Sequence, residues 1–393
     1  MNILCIFQKF DFNSSTIYLD LVNELRDAGH KVFVLAGTTN SVDTNKTYDV
    51  NGIKVAYVAL PDQFKAGKIK KGMVQLLIEP MMIKACKKHF YSEKIDLIIY
   101  PTPPITLSNV VRKLKKHYGA ITYLMLKDIF PQNAADLKMM SQSGLIFKYF
   151  KSVEEKLYQV SDHIGCMSQA NISYMRDKLD PELWKRLELF PNTVKIKPFV
   201  ERVSNERKVT NFVFGGNLGK PQAVDFLLKG IEALKDYEDA HFLIVGDGTE
   251  SGKVAKFIEN NKLKNAEYHK SLPRDEYEKL LVEQDVGLVM LHPDFTIPNF
   301  PSRILSYMQM GMPMLAVTDR VTDISSTITQ MARCGYYSPS NDLNAFVRTV
   351  KTICDNKASL KELGENGRKY LEENFDVKLS VSLLEKACGT YEK

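Results

Sequence analysis

The chain has 393 residues, more than one ordinary domain holds and enough for two of roughly 150–200 residues each. Hydrophobic residues make up 44% and charged residues 25%, the balance of a soluble globular protein, and no apolar run approaches the ~20 residues of a membrane span. The net charge of +6 is unevenly spread: residues 1–196 hold 27 Lys and Arg against 19 Asp and Glu, the remainder 26 against 28. A basic first half calls for an anionic partner, whether a membrane surface, nucleic acid or a phosphorylated substrate. The six cysteines (5, 86, 166, 334, 354 and 388) form no CxxC pair, which fits reduced thiols in the cytoplasm.

MNILCIF at the start reads as a strand rather than a signal peptide. After the polar turn FQKFDFNSS, residues 17–28 read as a helix that Gly29 ends, and 31–36 as the second strand. Further strands are expected at 52–60, 96–100, 121–128, 163–168 and 187–194. A linker rich in charge spans 197–208. The alternation then resumes, with strands at 211–219, 241–248, 266–272 and 286–291, helices at 223–235, 253–261 and 274–284, and a helical end from Leu343. Two doubly wound parallel sheets in tandem bind ligands outside the carboxyl ends of their strands, and facing sheets would leave a cleft between them.

In the second half three strand-end loops suit phosphate and sugar. GGNLGKPQ (215–222) offers glycines that let backbone amides approach an anion, with Lys220 adding charge. VGDG (245–248) allows close packing against a ligand, and HKSL (269–272) could pair with the edge of a base. NFPSRILSYMQMGMPMLAV (299–317) parses as loop, helix, stop and strand. Ser302 is placed to cap the helix and Arg303 to add a cation, Gly311 to close the helix and Pro313 to keep it closed. Its plainer reading is a capped helix with a surface arginine.

Taken in this order, GGNLGKPQ, IVGDG, YHKSL and PNFPSRILSYMQMGMPMLAV resemble the donor-nucleotide domain of family 4 glycosyltransferases of the GT-B fold, and LFPNTV (189–194) and DIFPQ (128–132) extend the resemblance across the chain. The PSR…SY form is similar to a polysaccharide and O-antigen subgroup, the N-acetylfucosamine transferase-like enzymes. The resemblance implies an α/β GT-B protein of two Rossmann-like domains facing a central cleft. An acceptor domain is expected over 1–196, a nucleotide-sugar domain over 197–375, and a last helix over 376–393 packing back on the first domain. It implies donor contacts from Gly216, Asn217, Lys220, Gln222, Gly246, Ser271, Leu272, Ser302, Arg303 and Ser306, and His292, at a strand end beside the cleft, joins them on its position alone. The chain departs from the family pattern: Asn217 and Gln222 stand where the family has Arg and Lys, and Pro298 and Ser306 where it has two glutamates. Arg303 would then supply the cation, and Ser306 would hold the ribose.

On the acceptor side, Asp128 at a strand end could take or hold the acceptor hydroxyl's proton, the alternative being a turn or cap aspartate. Gln8, Lys9 and Asp11 follow the first strand and border the same space. Lys65, Lys68, Lys70, Lys71, Lys84, Lys87 and Lys88 alternate with Met, Leu and Ile, as a membrane-surface patch or a solvated helix face would. No nucleic-acid motif is present. With no DxD triplet and no metal-ligand spacing, the expectation is an enzyme without metal or cofactor, its substrate a UDP-sugar (a UDP-HexNAc or UDP-N-acetylfucosamine). The acceptor would be a lipid-linked saccharide at the inner face of the plasma membrane, in capsule or O-antigen synthesis, with a retaining outcome implied by the family. A UDP-sugar epimerase on the same scaffold is the competing reading.

Overall fold

The computed structural model describes residues 1–12, 16–38, 42–60, 68–199 and 208–389, with the side chains of 68–77, 274 and 275 outside the description. The chain divides into two compact units, Met1–Lys195 with Val377–Lys393, and Ile196–Asp376.

The first unit is built on an eight-stranded sheet. Its strands are β1 (Asn2–Phe7), β2 (Lys31–Thr38), β3 (Thr47–Val50), β4 (Ile53–Ala59), β5 (Leu97–Pro101), β6 (Ile121–Leu126), β7 (His163–Cys166) and β8 (Leu187–Leu189). Their spatial order is β3-β4-β2-β1-β5-β6-β7-β8. All pair in parallel except β3, which runs antiparallel to β4 at the edge. The central strands are apolar on both faces because helices cover both, so NILCIF and LIIYP read as continuous runs rather than alternations. The β3–β4 turn holds Asn51 and Gly52 at φ 53° and 82°, the left-handed pair that a two-residue hairpin requires. This hairpin edge is an element that the sequence reading lacked.

Thr16 starts the Ile17–Asp27 helix, its hydroxyl accepting from the Leu19 amide at 3.2 Å, and Leu21, Val22 and Leu25 bury one face. The last helix, Val377–Gly389, belongs to this unit. Val377, Val381, Leu384 and Ala387 recur at helical spacing and pack into the cluster that holds Ile3, Leu21 and Leu25. The Val377 amide bonds the Val194 carbonyl at 3.0 Å, and Thr193 and Ser380 share a buried hydroxyl bond of 2.7 Å.

The second unit is a wholly parallel six-stranded sheet: β9 (Thr210–Gly215), β10 (Ala240–Val245), β11 (Ala266–His269), β12 (Val286–Met290), β13 (Met314–Thr318) and β14 (Gly335–Pro339). The order is β11-β10-β9-β12-β13-β14, so the direction of winding reverses between β9 and β12. A ligand of such a sheet sits at this reversal, outside the carboxyl ends of the two strands. β14 is a second element the sequence reading did not separate from its surroundings.

Leu384 is fully buried between the two ends of the chain's first unit. Leu384→Ala should cost about 2–5 kcal/mol, transfer and cavity terms together. Hydrogen exchange should rise in the β1 and β2 amides while that of β9 and β12 holds; equal loss of protection in both units would contradict this assignment of the helix.

Candidate functional site

At the winding reversal of the second unit, β9 ends in Gly215 and Gly216. The Gly216 amide bonds the Val245 carbonyl at 2.9 Å, and the Leu218 amide the Asp247 carbonyl at 2.8 Å. The loops after β9 and β10 thus lie against one another along their backbones. Only glycine permits this approach: a Cβ on Gly246 would collide with the Gly216 carbonyl oxygen, and one on Gly248 with that of Leu218. Gly216 and Gly248 also hold φ of 127° and 151°.

This packing corrects the expectation that the loop's amides await an anion. Those of Gly216 and Leu218 are engaged, and that of Gly219 bonds the Gln222 side-chain oxygen at 3.2 Å. The same oxygen accepts from Asn217 at 3.2 Å. Gln222 therefore turns back to fasten the loop instead of pointing outward, and Lys220 is exposed beside it. Pro221 is held by the His292 amide, which bonds its carbonyl at 2.8 Å, so the loops after β9 and β12 meet. His292 Nδ1 accepts from the Asp294 amide at 3.2 Å, which leaves the proton of the neutral ring on Nε2.

Arg303 opens the Arg303–Gln309 helix. Its guanidinium carbon stands 4.4 Å over the Phe214 ring, a cation–π geometry. A Cβ on Gly216 would lie 3.2 Å from Nη2, so the glycine leaves the guanidinium uncovered by side chain on that flank. Nη1 is buried and has no hydrogen-bond partner. Burial lowers the Arg303 pKa, opposed by the neighbouring Tyr307 and Tyr277. Tyr307 is itself fixed at the sheet by bonds of 3.3 Å with the Gly215 amide and the Val213 and Leu288 carbonyls. These two tyrosines and Phe214 are absent from the sequence reading of the site, although Tyr307's spacing of four from Arg303 puts both on one side of a helix.

Ser302 does not act as expected. It occupies the cap position but with helical φ and ψ of −64° and −16°, and its hydroxyl makes no capping bond. The amides of Ile304 and Leu305 turn instead to the Pro301 and Ser302 carbonyls. Ser302 and Ser306 are exposed. Ser271, also exposed, and half-buried Leu272 follow β11, whose Tyr268 hydroxyl reaches the Gly246 carbonyl at 3.1 Å.

In the first unit Asp128 follows β6. Asn133 donates to both carboxylate oxygens, at 2.7 and 2.8 Å. The Thr102 hydroxyl accepts from the Lys127 and Asp128 amides and donates to the Asp128 carbonyl, pinning the turn to β5. Burial pushes the Asp128 carboxyl up from 3.8 to about 6, against the bonds from Asn133 and the Ile129 amide. Its neighbour Lys127 moves the opposite way for the same reason: burial takes its ammonium down to about 7. Its Nζ donates to the Phe190 and Pro191 carbonyls at 3.2 and 3.4 Å and lies 5.1 Å from the Phe190 ring centroid. Neither Lys127 nor Asn133 stood out in sequence.

Gln8, Lys9 and Asp11 follow β1, with Lys9 exposed and the other two half-buried. Tyr18, one helix on, lies close enough to Asp128 for the carboxylate to raise its phenol further than burial already does. Of the lysine series, Lys65 lies outside the described residues, and Lys68, Lys70 and Lys71 open the Lys68–His89 helix with side chains outside the description. Lys84, Lys87 and Lys88 are exposed, but Ile78, Met82 and Cys86 on the same helix are buried. There the apolar half of the expected patch serves the core, and the solvated-face reading fits the described turns. Among the described residues no group of three His, Cys, Asp or Glu could hold a metal ion, and no helix is long and apolar enough to cross a membrane.

Residues 209–356 match the family model described as "Glycosyl transferases group 1". The chain is a glycosyltransferase of the GT-B fold. Among curated proteins it is 26% identical over 294 residues to the probable glycosyltransferase WbjE of Pseudomonas aeruginosa, spanning 73% of this chain and 72% of that one. Among solved structures it resembles sucrose-phosphate synthase of Thermosynechococcus elongatus, with a TM-score of 0.77 and 14% identity over 98% of both chains. HepE of Anabaena, solved in complex with UDP, has a TM-score of 0.65 and 13% identity over 99% of this chain and 100% of that one. At these identities the structural likeness speaks for the fold.

Two tests follow from this geometry. Gly246→Ala drives a methyl into the Gly216 backbone and should destabilise the second unit by about 1–3 kcal/mol, read from its melting temperature. Asp128 binds a proton more tightly folded than unfolded, so stability should fall as pH rises between about 4 and 6. Asp128→Asn should flatten that slope and raise stability at pH 7; a slope unchanged in the variant would assign the titration elsewhere.

Proposed function

We propose that the chain transfers a sugar from a UDP-sugar, a UDP-HexNAc or UDP-N-acetylfucosamine, to a lipid-linked saccharide in surface-polysaccharide synthesis, working without a metal ion at the inner membrane face and with retention of anomeric configuration. The observation that carries the donor half is Arg303: a buried guanidinium with an unpartnered Nη1 beside Gly216, at the winding reversal where such sheets hold nucleotides. A diphosphate would supply the missing acceptor and neutralise the cation, and the cation would in turn stabilise the leaving UDP. HepE, which shares the fold, was solved with UDP and with UDP and glucose. The basic composition of residues 1–196 supports an anionic acceptor or surface on the other unit.

Asp128 is the acceptor-side group. With its pKa near 6 it is mainly ionised at neutral pH, and Asn133 fixes both oxygens, so it can receive a hydrogen bond from an acceptor hydroxyl and orient it. In a retaining transfer the departing phosphate takes the hydroxyl proton, which makes Asp128 a positioning group.

A thermal-shift panel of UDP-, GDP- and dTDP-sugars fixes the base and narrows the sugar, with UDP compounds expected to stabilise most. Arg303→Ala should weaken UDP binding by calorimetry about tenfold or more, as removal of a charge-assisted contact does. Unchanged affinity in that variant would place the diphosphate elsewhere.

A further inference from the structure

The most exposed large apolar side chains described in the first unit fall in one stretch of the chain. Met139 is 70% exposed, Leu145 83%, Ile146 65% and Tyr149 50%. Leu145, Ile146 and Tyr149 share the opening turns of the Leu145–Val160 helix, on one side by their spacing, and Met139 lies in the turn before it. Scattered surface leucines need no explanation, but four large apolar groups within eleven residues form a patch that asks for a cover.

Along the chain the exposed charges beside these side chains are lysines, while Lys151 is paired with Glu154 one turn further on. From residue 137 to 153 the sequence holds Lys138, Lys148 and Lys151 and no Asp or Glu. Lys138 and Lys148 are exposed alongside the apolar groups. The helix is anchored at its far end, where Lys115 Nζ bonds the Val160 carbonyl at 3.1 Å and Asp162 at 2.6 Å. Its opening end lies at the carboxyl edge of the sheet, tied to the Asp128 turn by Phe150 against Phe130 with ring centroids 5.1 Å apart. The exposed turn therefore belongs to the same edge as the acceptor-side carboxylate.

We propose that Met139, Leu145, Ile146 and Tyr149, flanked by Lys138 and Lys148, dock this unit on an anionic lipid bilayer. The inference rests on the reading of a lipid-linked acceptor and locates the membrane contact that reading needs. Apolar side chains enter the headgroup boundary while lysines meet anionic headgroups, and a tyrosine suits the interface between the two. A second copy of the chain is the poorer cover. A two-fold contact would set each lysine group against its own copy, and four side chains fall well short of the 20 or so residues a side that a stable interface uses, by rough count. Of the lysines in the Lys68–His89 helix, the described ones, Lys84, Lys87 and Lys88, share their turns with Ile78, Met82 and Cys86, which are buried.

The test is co-sedimentation of the full chain with vesicles of phosphatidylcholine, alone and with phosphatidylglycerol added, alongside calorimetry with UDP and size-exclusion chromatography on each variant. The wild type should pellet with the anionic vesicles and release in part at high salt. The double variant Leu145→Ser, Ile146→Ser should lose about tenfold or more in partitioning with its UDP affinity and melting temperature kept. Lys148→Glu should weaken binding and its salt dependence, and the triple variant Lys84→Ser, Lys87→Ser, Lys88→Ser should bind as the wild type does. The inference is overturned by a wild type that ignores anionic vesicles, by a double variant that still binds them fully, or by a dimer that the double variant dissolves. Retained UDP binding in any of those cases leaves the transferase reading standing, whereas vesicle binding without UDP binding overturns that reading alone.

Discussion

A guanidinium buried without a carboxylate is the constraint on which the second unit's site depends. Three terms act against Arg303. Burial removes its hydration, its place at the first residue of a helix sets it against the positive end of the helix dipole, and among the described residues it forms no ion pair. Partial relief comes from the Phe214 ring at 4.4 Å and from the neighbouring Tyr307 and Tyr277, which oppose the lowering that burial imposes. None of these satisfies Nη1. A structural arginine would be expected to carry a carboxylate or a set of carbonyls, as Arg368 does. That residue donates to Glu372, the Gln309 carbonyl and the Lys197 carbonyl at 2.6–2.9 Å. The contrast within one unit is what gives the unpartnered nitrogen of Arg303 its meaning.

The rest of the site is arranged to keep that guanidinium in place and to leave its Gly216 flank free of side chain. Gly216 offers no side chain to cover it, Gly215 leaves room for the Tyr277 hydroxyl, and Tyr307 ties the helix to β9 and β12. The loop amides hold the loops to one another rather than facing solvent, so the local structure is stiff before any ligand arrives. Stiffness of this kind lets a single cation act as a binding determinant, because little ordering remains to be done on binding.

What could be read in the sequence was what local rules govern. Continuous apolar runs mark buried parallel strands, and glycines after helices mark their ends, as at Gly29 and Gly311 with φ of 87° and 57°. The β3–β4 hairpin was legible in principle from Asn51-Gly52, but the polar TYDV strand has none of the apolar weight that drew attention elsewhere. Partner choice was not legible. Gln222 could bond a phosphate or its own loop, and Ser302 could cap a helix or leave it bare; which occurs depends on backbone angles set by residues far along the chain. Asn133 gained its role only when the turn after β6 folded it onto Asp128, and Tyr277 only when the helix after β11 brought it under Gly215.

The two units handle charge by different means, and the difference follows from which group is buried. Arg303 cannot give up its proton near neutral pH, so burial leaves it charged and in need of an anion. Lys127 and Asp128 can change state, and burial brings an ammonium down to about 7 and a carboxyl up to about 6. Each is held by its own fixed donors or acceptors, Asn133 for the carboxylate and the Phe190 and Pro191 carbonyls for the ammonium, and not by the other. A carboxylate oriented by a neutral amide keeps its basicity, whereas one paired with an adjacent cation would lose it. With Lys127 Nζ turned to the Phe190 and Pro191 carbonyls and Asn133 on its own oxygens, Asp128 remains a group able to engage a hydroxyl.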